Sequence, residues 1–247
     1  MRPVPLSKRA LVSNRLLGAL PRKDCQRLTA GCEQVELTFA DVLSEPGDRI
    51  RHVYFPAESF ISLAAPVDSR ASLEVGLIGN EGMLGIPLVL GIAVSPQRAL
   101  VRGSGGALRM TAALFSRELG TSVALQRGLN RYLYALMAQF SQTAACTSFH
   151  LLDARLARWL LMTHDRAHSD KFHLTHDFLA DMLGVRRVGV TKAAGLLQRK
   201  GLISYRRGQI TILDRGGLEA VSCSCYGSMK QTYDQICVEG WPNRRVG

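Results

Sequence analysis

Leu183-Gly184-Val185-Arg186-Arg187-Val188-Gly189-Val190-Thr191-Lys192-Ala193-Ala194-Gly195-Leu196-Leu197 is the stretch on which the reading of this chain turns. Ahead of it, Asp177 to Leu183 carries an apolar face of Phe178, Leu179 and Met182. Thr175 stands where its hydroxyl can accept from an unpaired backbone N–H as an N-cap. Gly184 predicts the end of that first helix. The residues that follow repeat a helical pattern: Val190, Ala193 and Leu197 can face inward, and Arg187, Thr191 and Lys192 fall elsewhere on the surface. Downstream, Leu202-Ile203-Ser204-Tyr205 and Gln209-Ile210-Thr211-Ile212 are β-prone runs around Arg206-Arg207-Gly208, which predicts a hairpin with a basic tip.

Helix, tight turn, basic helix and basic hairpin are the parts a winged helix-turn-helix needs. The second helix enters the DNA major groove and the hairpin reaches phosphates beside it. Arginine offers a planar pair of donors that matches guanine O6 and N7. Between Met182 and Leu213 the chain holds seven basic residues (Arg186, Arg187, Lys192, Arg199, Lys200, Arg206, Arg207) and no acidic one, whereas a merely solvated face mixes signs. Double-stranded DNA is the expected partner, through Thr175, Arg186, Arg187, Thr191, Lys192, Arg206 and Arg207.

The whole chain fits that expectation. Its 247 residues suffice for one large or two ordinary domains, and 31 basic against 20 acidic residues leave a net charge of +11 that favours an anionic partner. A hydrophobic fraction of 47% with 21% charged residues excludes a disordered or fibrous chain. The longest stretch free of charge, Tyr132 to Leu152, carries Gln139, Ser141, Gln142 and His150, which are costly in hydrocarbon, so no membrane span is expected. The basic amino terminus (Arg2, Lys8, Arg9, Arg15, Arg22, Lys23, Arg27) has no signal-peptide core and reads as a loosely ordered arm on a cytoplasmic protein. Cys25, Cys32, Cys146, Cys223, Cys225 and Cys237 read as reduced thiols. There is no C-x-x-C, and Cys223-Ser-Cys225 has no second pair or nearby histidine to complete four ligands, so no metal and no cofactor are expected. His164, His168, His173 and His176 cluster around a loop without a serine or thiol partner, so no enzyme is expected.

Upstream, the texture alternates. Val35, Leu37 and Phe39 against Glu36 and Thr38, and Leu73, Val75 and Leu77 against Glu74 and Gly76, have period two. Turn signals at Pro46-Gly47-Asp48, Pro66-Val67-Asp68-Ser69, Gly79-Asn80-Glu81-Gly82 and Gly103-Ser104-Gly105-Gly106 divide short strands, which predicts a small barrel or roll. From Leu114 the texture is helical. Leu129, Leu133, Leu136 and Phe140, spaced four, three and four, form a seam that serves a dimer or a helix packed on its own domain equally well. A further helix from Leu152 to Met162 places Leu152, Leu156, Trp159 and Leu160 on one side and Arg155 and Arg158 elsewhere.

At Ala154-Arg155-Leu156-Ala157-Arg158-Trp159-Leu160-Leu161, Leu179-Ala180, Leu183 to Arg187, Val190-Thr191-Lys192 and Leu197 to Ile203, the chain resembles the Crp/Fnr family of bacterial transcription regulators. The resemblance implies an α+β chain. Its parts are a cyclic-nucleotide-binding-like β-roll with a short helical arm at residues 1–118, a dimerisation helix at 119–149, a winged helix at 150–225 and a tail at 226–247. It also implies a homodimer on a palindromic operator, with Leu129, Leu133, Leu136 and Phe140 as its interface and RNA polymerase as a partner. Two departures bear on mechanism. The family's base-reading Arg-Glu pair resembles Arg187-Val188 here, so a different operator is expected. The nucleotide-gripping Gly-Glu-Leu and Arg-Ser segments resemble Gly85-Ile86-Pro87 and Gln97-Arg98, so Gly85, Gln97 and Arg98 mark a ligand site whose effector is not cyclic AMP. The alternative is a ligand-sensing protein whose basic domain docks on RNA or protein.

Overall fold

The computed structural model describes residues 14–67, 72–167 and 169–235. Arg2, Lys8 and Arg9 of the basic terminus, Asp68 and Ser69 of one turn, His168 and Cys237 lie outside the described residues.

The amino-terminal arm is docked from Asn14 onward. Helices α1 (Arg15–Gly18) and α2 (Arg22–Ala30) bury Leu16, Leu17 and Leu28, and burial of such side chains outweighs the solubility of the surrounding arginines. Asn14 accepts from the Leu17 N–H at 3.1 Å, and its amide donates to the carbonyls of Pro56 and Gly82 at 2.9 and 3.0 Å.

Seven strands follow: β1 (Glu33–Leu37), β2 (Val42–Ser44), β3 (His52–Pro56), β4 (Phe60–Pro66), β5 (Ser72–Ile78), β6 (Arg98–Gly103) and β7 (Gly105–Thr111). They form two antiparallel sheets, in the orders β1-β7-β3 and β2-β6-β4-β5. Val35, Leu37, Tyr54, Ile61, Leu63 and Val101 make up the core between them. Alternation holds in β1, where Val35 and Leu37 are buried and Glu36 is exposed, but Phe39 lies beyond the strand and is 41% exposed. In β5 the expected phase fails: Glu74 and Gly76 are buried while Leu73 and Val75 are half-buried. Helices cover the outer face of this strand. A Cβ at Gly76 would lie 2.7 Å from Gln139 Oε1 and 2.8 Å from the Phe140 ring, so only glycine fits there.

Helices α3 (Ala112–Thr121) and α4 (Val123–Phe149) are separated by Ser122, whose backbone is extended and whose hydroxyl accepts from Leu125 N–H at 3.1 Å. The break therefore falls after Thr121, and the expected boundary at 118/119 cuts α3. Most of the expected dimer seam packs within the chain. Leu129 is 0% and Leu136 4% exposed, Leu133 is half-buried, and Phe140 packs on the roll, because this stripe of α4 faces its own domain. Rotated by one residue, a second stripe is solvent-exposed: Val123, Arg127, Asn130, Tyr134, Met137 and Ser141, continuing through Ala144 and Ser148, at alternating spacings of four and three.

The carboxy-terminal half comprises α5 (Leu152–Ala167), β8 (Lys171–His173), α6 (His176–Leu183), α7 (Arg187–Arg199), β9 (Ile203–Arg206), β10 (Gln209–Ile212), α8 (Arg215–Val221) and α9 (Cys225–Tyr233). Leu156, Trp159, Leu160, Leu179, Val190, Leu197 and Ile210 share one core. The hairpin gains a third strand, in the order β8-β10-β9, from a segment whose polar composition hid it. Arg155 and Arg158 are buried although they lie off the apolar side of α5, and Arg155 Nη2 donates to the Leu183 carbonyl at the end of α6, at 2.5 Å. The first part of the expected tail is α9, which packs on α4 and α5.

Polar contacts join the roll to the winged helix. The Trp159 indole N–H and the Ser62 hydroxyl each donate to the Glu74 carboxylate at 2.6 Å, and burial pushes that carboxyl up to about 7 against the pull of those two bonds. Arg166 binds Glu81 through Nε at 2.8 Å and Nη2 at 2.5 Å, and the Arg102 guanidinium lies 3.9 Å from the Phe178 ring centroid.

Candidate nucleic-acid interface

Thr175 caps α6 as its sequence position predicts, accepting from Phe178 N–H at 3.2 Å. Gly184 terminates α6 at φ 63°, a left-handed conformation that glycine adopts without strain and that turns the chain back into α7. Val190, Ala193 and Leu197 anchor α7 to the core, and Arg186, Arg187, Thr191 and Lys192 are exposed, as is Val188. Arg187 Nε is 3.4 Å from Asp177 Oδ1, with both side chains about two-thirds exposed, a pairing weak enough in water to be exchanged for a stronger acceptor.

The wing tip is a two-residue turn. Arg206 pairs with Gln209, leaving Arg207 at φ 49° and Gly208 at φ 78°, the left-handed pair of a type I′ hairpin whose twist matches its strands. Arg206 and Arg207 are both exposed at this tip.

A link between wing and helices was not legible in the sequence. The His176 ring stacks on Tyr205 with centroids 4.5 Å apart and planes 13° from parallel. His176 Nδ1 lies 3.0 Å from the Thr191 hydroxyl of α7, and that hydroxyl donates to the Arg187 carbonyl at 3.1 Å. Tyr205 donates its O–H to Leu174 O at 2.9 Å and its backbone N–H to Gln198 Oε1 at 3.0 Å. Burial, and then the charge of Arg187, lower the His176 pKa, so the imidazole is neutral at pH 7. A basic hairpin flagged Tyr205 only as a strand residue, and contact between residues this far apart in sequence leaves no periodic trace.

Of the expected histidine cluster, the three described members, His164, His173 and His176, do not converge. His164 lies against Asp170 and Arg215, His173 is beside Gly208, and His176 belongs to the stack just described. In the roll, Gly85 and Gln97 line a cavity of about 300 Å³ together with Arg49, Arg51, His52 and Tyr54. Arg98 is not among its lining residues and pairs instead with Glu45 at 3.0 Å. The expectation of no histidine near the C-terminal thiols is also overturned, since folding brings His150 and Cys146 against Cys223 and Cys225.

The chain is thus a β-roll followed by a long helix and a three-stranded winged helix. Residues 154–221 match the family model of the Crp-like helix-turn-helix domain. Similar solved structures include a putative transcriptional regulator of the Crp/Fnr family from Eubacterium rectale, at TM-score 0.66 and 16% identity over 83% of this chain and 96% of that one. FixK2 from Bradyrhizobium japonicum aligns at TM-score 0.65 and 13% identity over 78% of this chain and 98% of its own. A CRP/FNR-family regulator from Thermus thermophilus aligns at 0.60 and 23%, over 77% and 98%. No curated protein sequence matches significantly. Residues 154–221 are thus a Crp-like helix-turn-helix DNA-binding domain, and the chain has the Crp/Fnr transcription-regulator fold. Among the described residues no helix is long and apolar enough to cross a membrane.

Proposed function

We propose that this protein is a transcription regulator that binds a two-fold-symmetric DNA site as a homodimer, with α7 in the major groove and the β9–β10 tip on the phosphates. The observation that carries the reading is the placement of Arg186, Arg187 and Lys192 on the exposed side of α7, with Arg206 and Arg207 at a wing joined to the same helix through His176 and Tyr205. In this reading Arg187 reads a base and the wing arginines grip the backbone. The second copy docks on the exposed α4 stripe around Tyr134 and Met137, whose regular spacing suits a helix pair and whose apolar members are otherwise left in water. RNA polymerase is the partner of such a regulator when it activates.

The effector of the roll is not cyclic AMP. Supporting this are the pairing of Arg98 with Glu45 and the absence from the chain of the Gly-Glu-Leu acceptor segment at Gly85-Ile86-Pro87. Selection of binding sites from random duplex DNA with the purified protein tests the proposal. Enrichment of an inverted repeat with half-sites about one helical turn apart is expected, and enrichment of RNA or of no sequence overturns it.

A further inference from the structure

Cys146, His150, Cys223 and Cys225 come from two distant parts of the chain, and their ligand atoms all lie within 4.8 Å of one another. Cys146 and His150 stand one helical turn apart at the end of α4, with His150 as its C-cap. Cys223 lies between α8 and α9, and Cys225 opens α9. The Cys146 and Cys223 sulfurs are 3.4 Å apart, and Cys225 Sγ is 3.4 Å from His150 Nδ1. A tetrahedral zinc ion with bonds of about 2.3 Å to sulfur and about 2.0 Å to nitrogen requires ligand separations of about 3.5–3.8 Å, which the two close pairs nearly match and the widest pair exceeds by at most about 1 Å.

We propose that these residues form a Cys₃His site for a single zinc-type divalent ion, which fastens the end of α4 to the junction of α8 and α9. Three thiolates and one imidazole are the donors a borderline-soft ion prefers, and each thiol yields its proton to solvent on coordination. The surroundings suit such a centre. Gln142 donates its side-chain N–H to Cys225 Sγ at 3.0 Å, the kind of outer hydrogen bond that orients and steadies a coordinating thiolate. A zinc ion with three thiolates carries a net negative charge, and two buried guanidinium groups, Arg155 and Arg158, lie in electrostatic reach of Cys146 and Cys223. Among the described residues Arg158 has only the sulfurs of Met162 and Met229 as hydrogen-bond partners, and the Nε atoms of both arginines are buried without a partner there. Neither guanidinium forms an ion pair with a carboxylate among the described residues, and the Glu74 carboxylate lies only in electrostatic reach of Arg158, so an anionic metal centre adds to the compensation of these buried cations. The close, four-sided grouping fits a single ion.

Elemental analysis of the full-length protein, purified without chelator, should find about one zinc per chain. Exchange with Co²⁺ should give the intense visible bands of a tetrahedral cobalt site together with sulfur-to-metal charge transfer in the near ultraviolet. Cys225→Ser and His150→Ala should lose the metal, and His150→Cys should retain it. The wild-type cobalt spectrum needs no variant, so a variant that fails to fold leaves the test intact. Metal-free protein that takes up no cobalt while reduced overturns the proposal, as does a Cys146–Cys223 disulfide found by mass spectrometry in the protein as isolated.

Discussion

The indole N–H of Trp159 donates to the Glu74 carboxylate at 2.6 Å across the boundary between the roll and the winged helix. An acid from the β-roll is thereby held by a side chain of α5, which packs in the core of the winged helix. The arrangement makes the packing of the two halves sensitive to the charge on Glu74.

Burial raises the Glu74 pKa from 4.5 to about 7 in the folded chain. The folded state therefore binds more protons than the unfolded state inside that window, and stability falls as pH rises from 4.5 through about 7. The loss is complete above the folded value and amounts to about 3 kcal/mol. Glu74→Gln keeps an acceptor for Trp159 and can donate to Ser62, so its urea unfolding free energy should vary less between about pH 5 and about pH 8. An unchanged pH slope in the variant refutes the assignment.

Arg187 and the wing should separate in a salt titration. Arg187→Ala is expected to cost about 1–3 kcal/mol on the specific duplex and to relax preference at one base pair of each half-site. Arg207→Asn, which suits the left-handed turn position, should weaken specific and scrambled duplexes alike and reduce the salt slope by roughly 0.9 for each phosphate no longer neutralised. Equal weakening of both duplexes by Arg187→Ala, with altered base preference in the wing variant, reverses the roles.

Two neighbouring residues on α4 should behave oppositely. Met137→Lys places a charge on the exposed stripe and should yield folded monomers in sedimentation. Leu136→Lys buries a charge in the roll and should lower Tm or prevent folding. A folded monomer from Leu136→Lys, with a Met137→Lys dimer intact, would show that the helix turns the other face to its partner.

Calorimetry with cyclic AMP should register no micromolar binding, since an anion needs charge-assisted donors and Arg98 is paired with Glu45. Tight binding would mean that Arg49 and Arg51 supply the grip instead.

Much of this architecture was legible because local rules and tertiary packing agree. The Thr175 cap, the Gly184 turn, the inward Val190, Ala193 and Leu197, and the hairpin around Arg207-Gly208 are all dictated within a few residues. What was not legible depends on partners far along the chain. A seam at Leu129 and Leu136 and one at Asn130 and Met137 differ by about 100° of helix rotation, and periodicity gives the existence of a stripe without saying which surface it meets. Glu74 defied alternation because a tryptophan 85 residues away supplies the donor that makes its burial tolerable. The thiol cluster escaped notice for a related reason: Cys146 and Cys223 are 77 residues apart, and only the fold makes them neighbours.

The stack of His176 on Tyr205, with the bond from the Tyr205 backbone N–H to Gln198 Oε1, ties the two helices and the wing into one caliper. In the proposed reading, the distance between the base-reading edge and the phosphate grip is set before any duplex arrives, so association would spend little conformational entropy on orienting them. Such a caliper also rejects by geometry. Duplexes whose groove width departs from the gap between its jaws must deform to be held, and the protein then discriminates among sequences at positions it never touches.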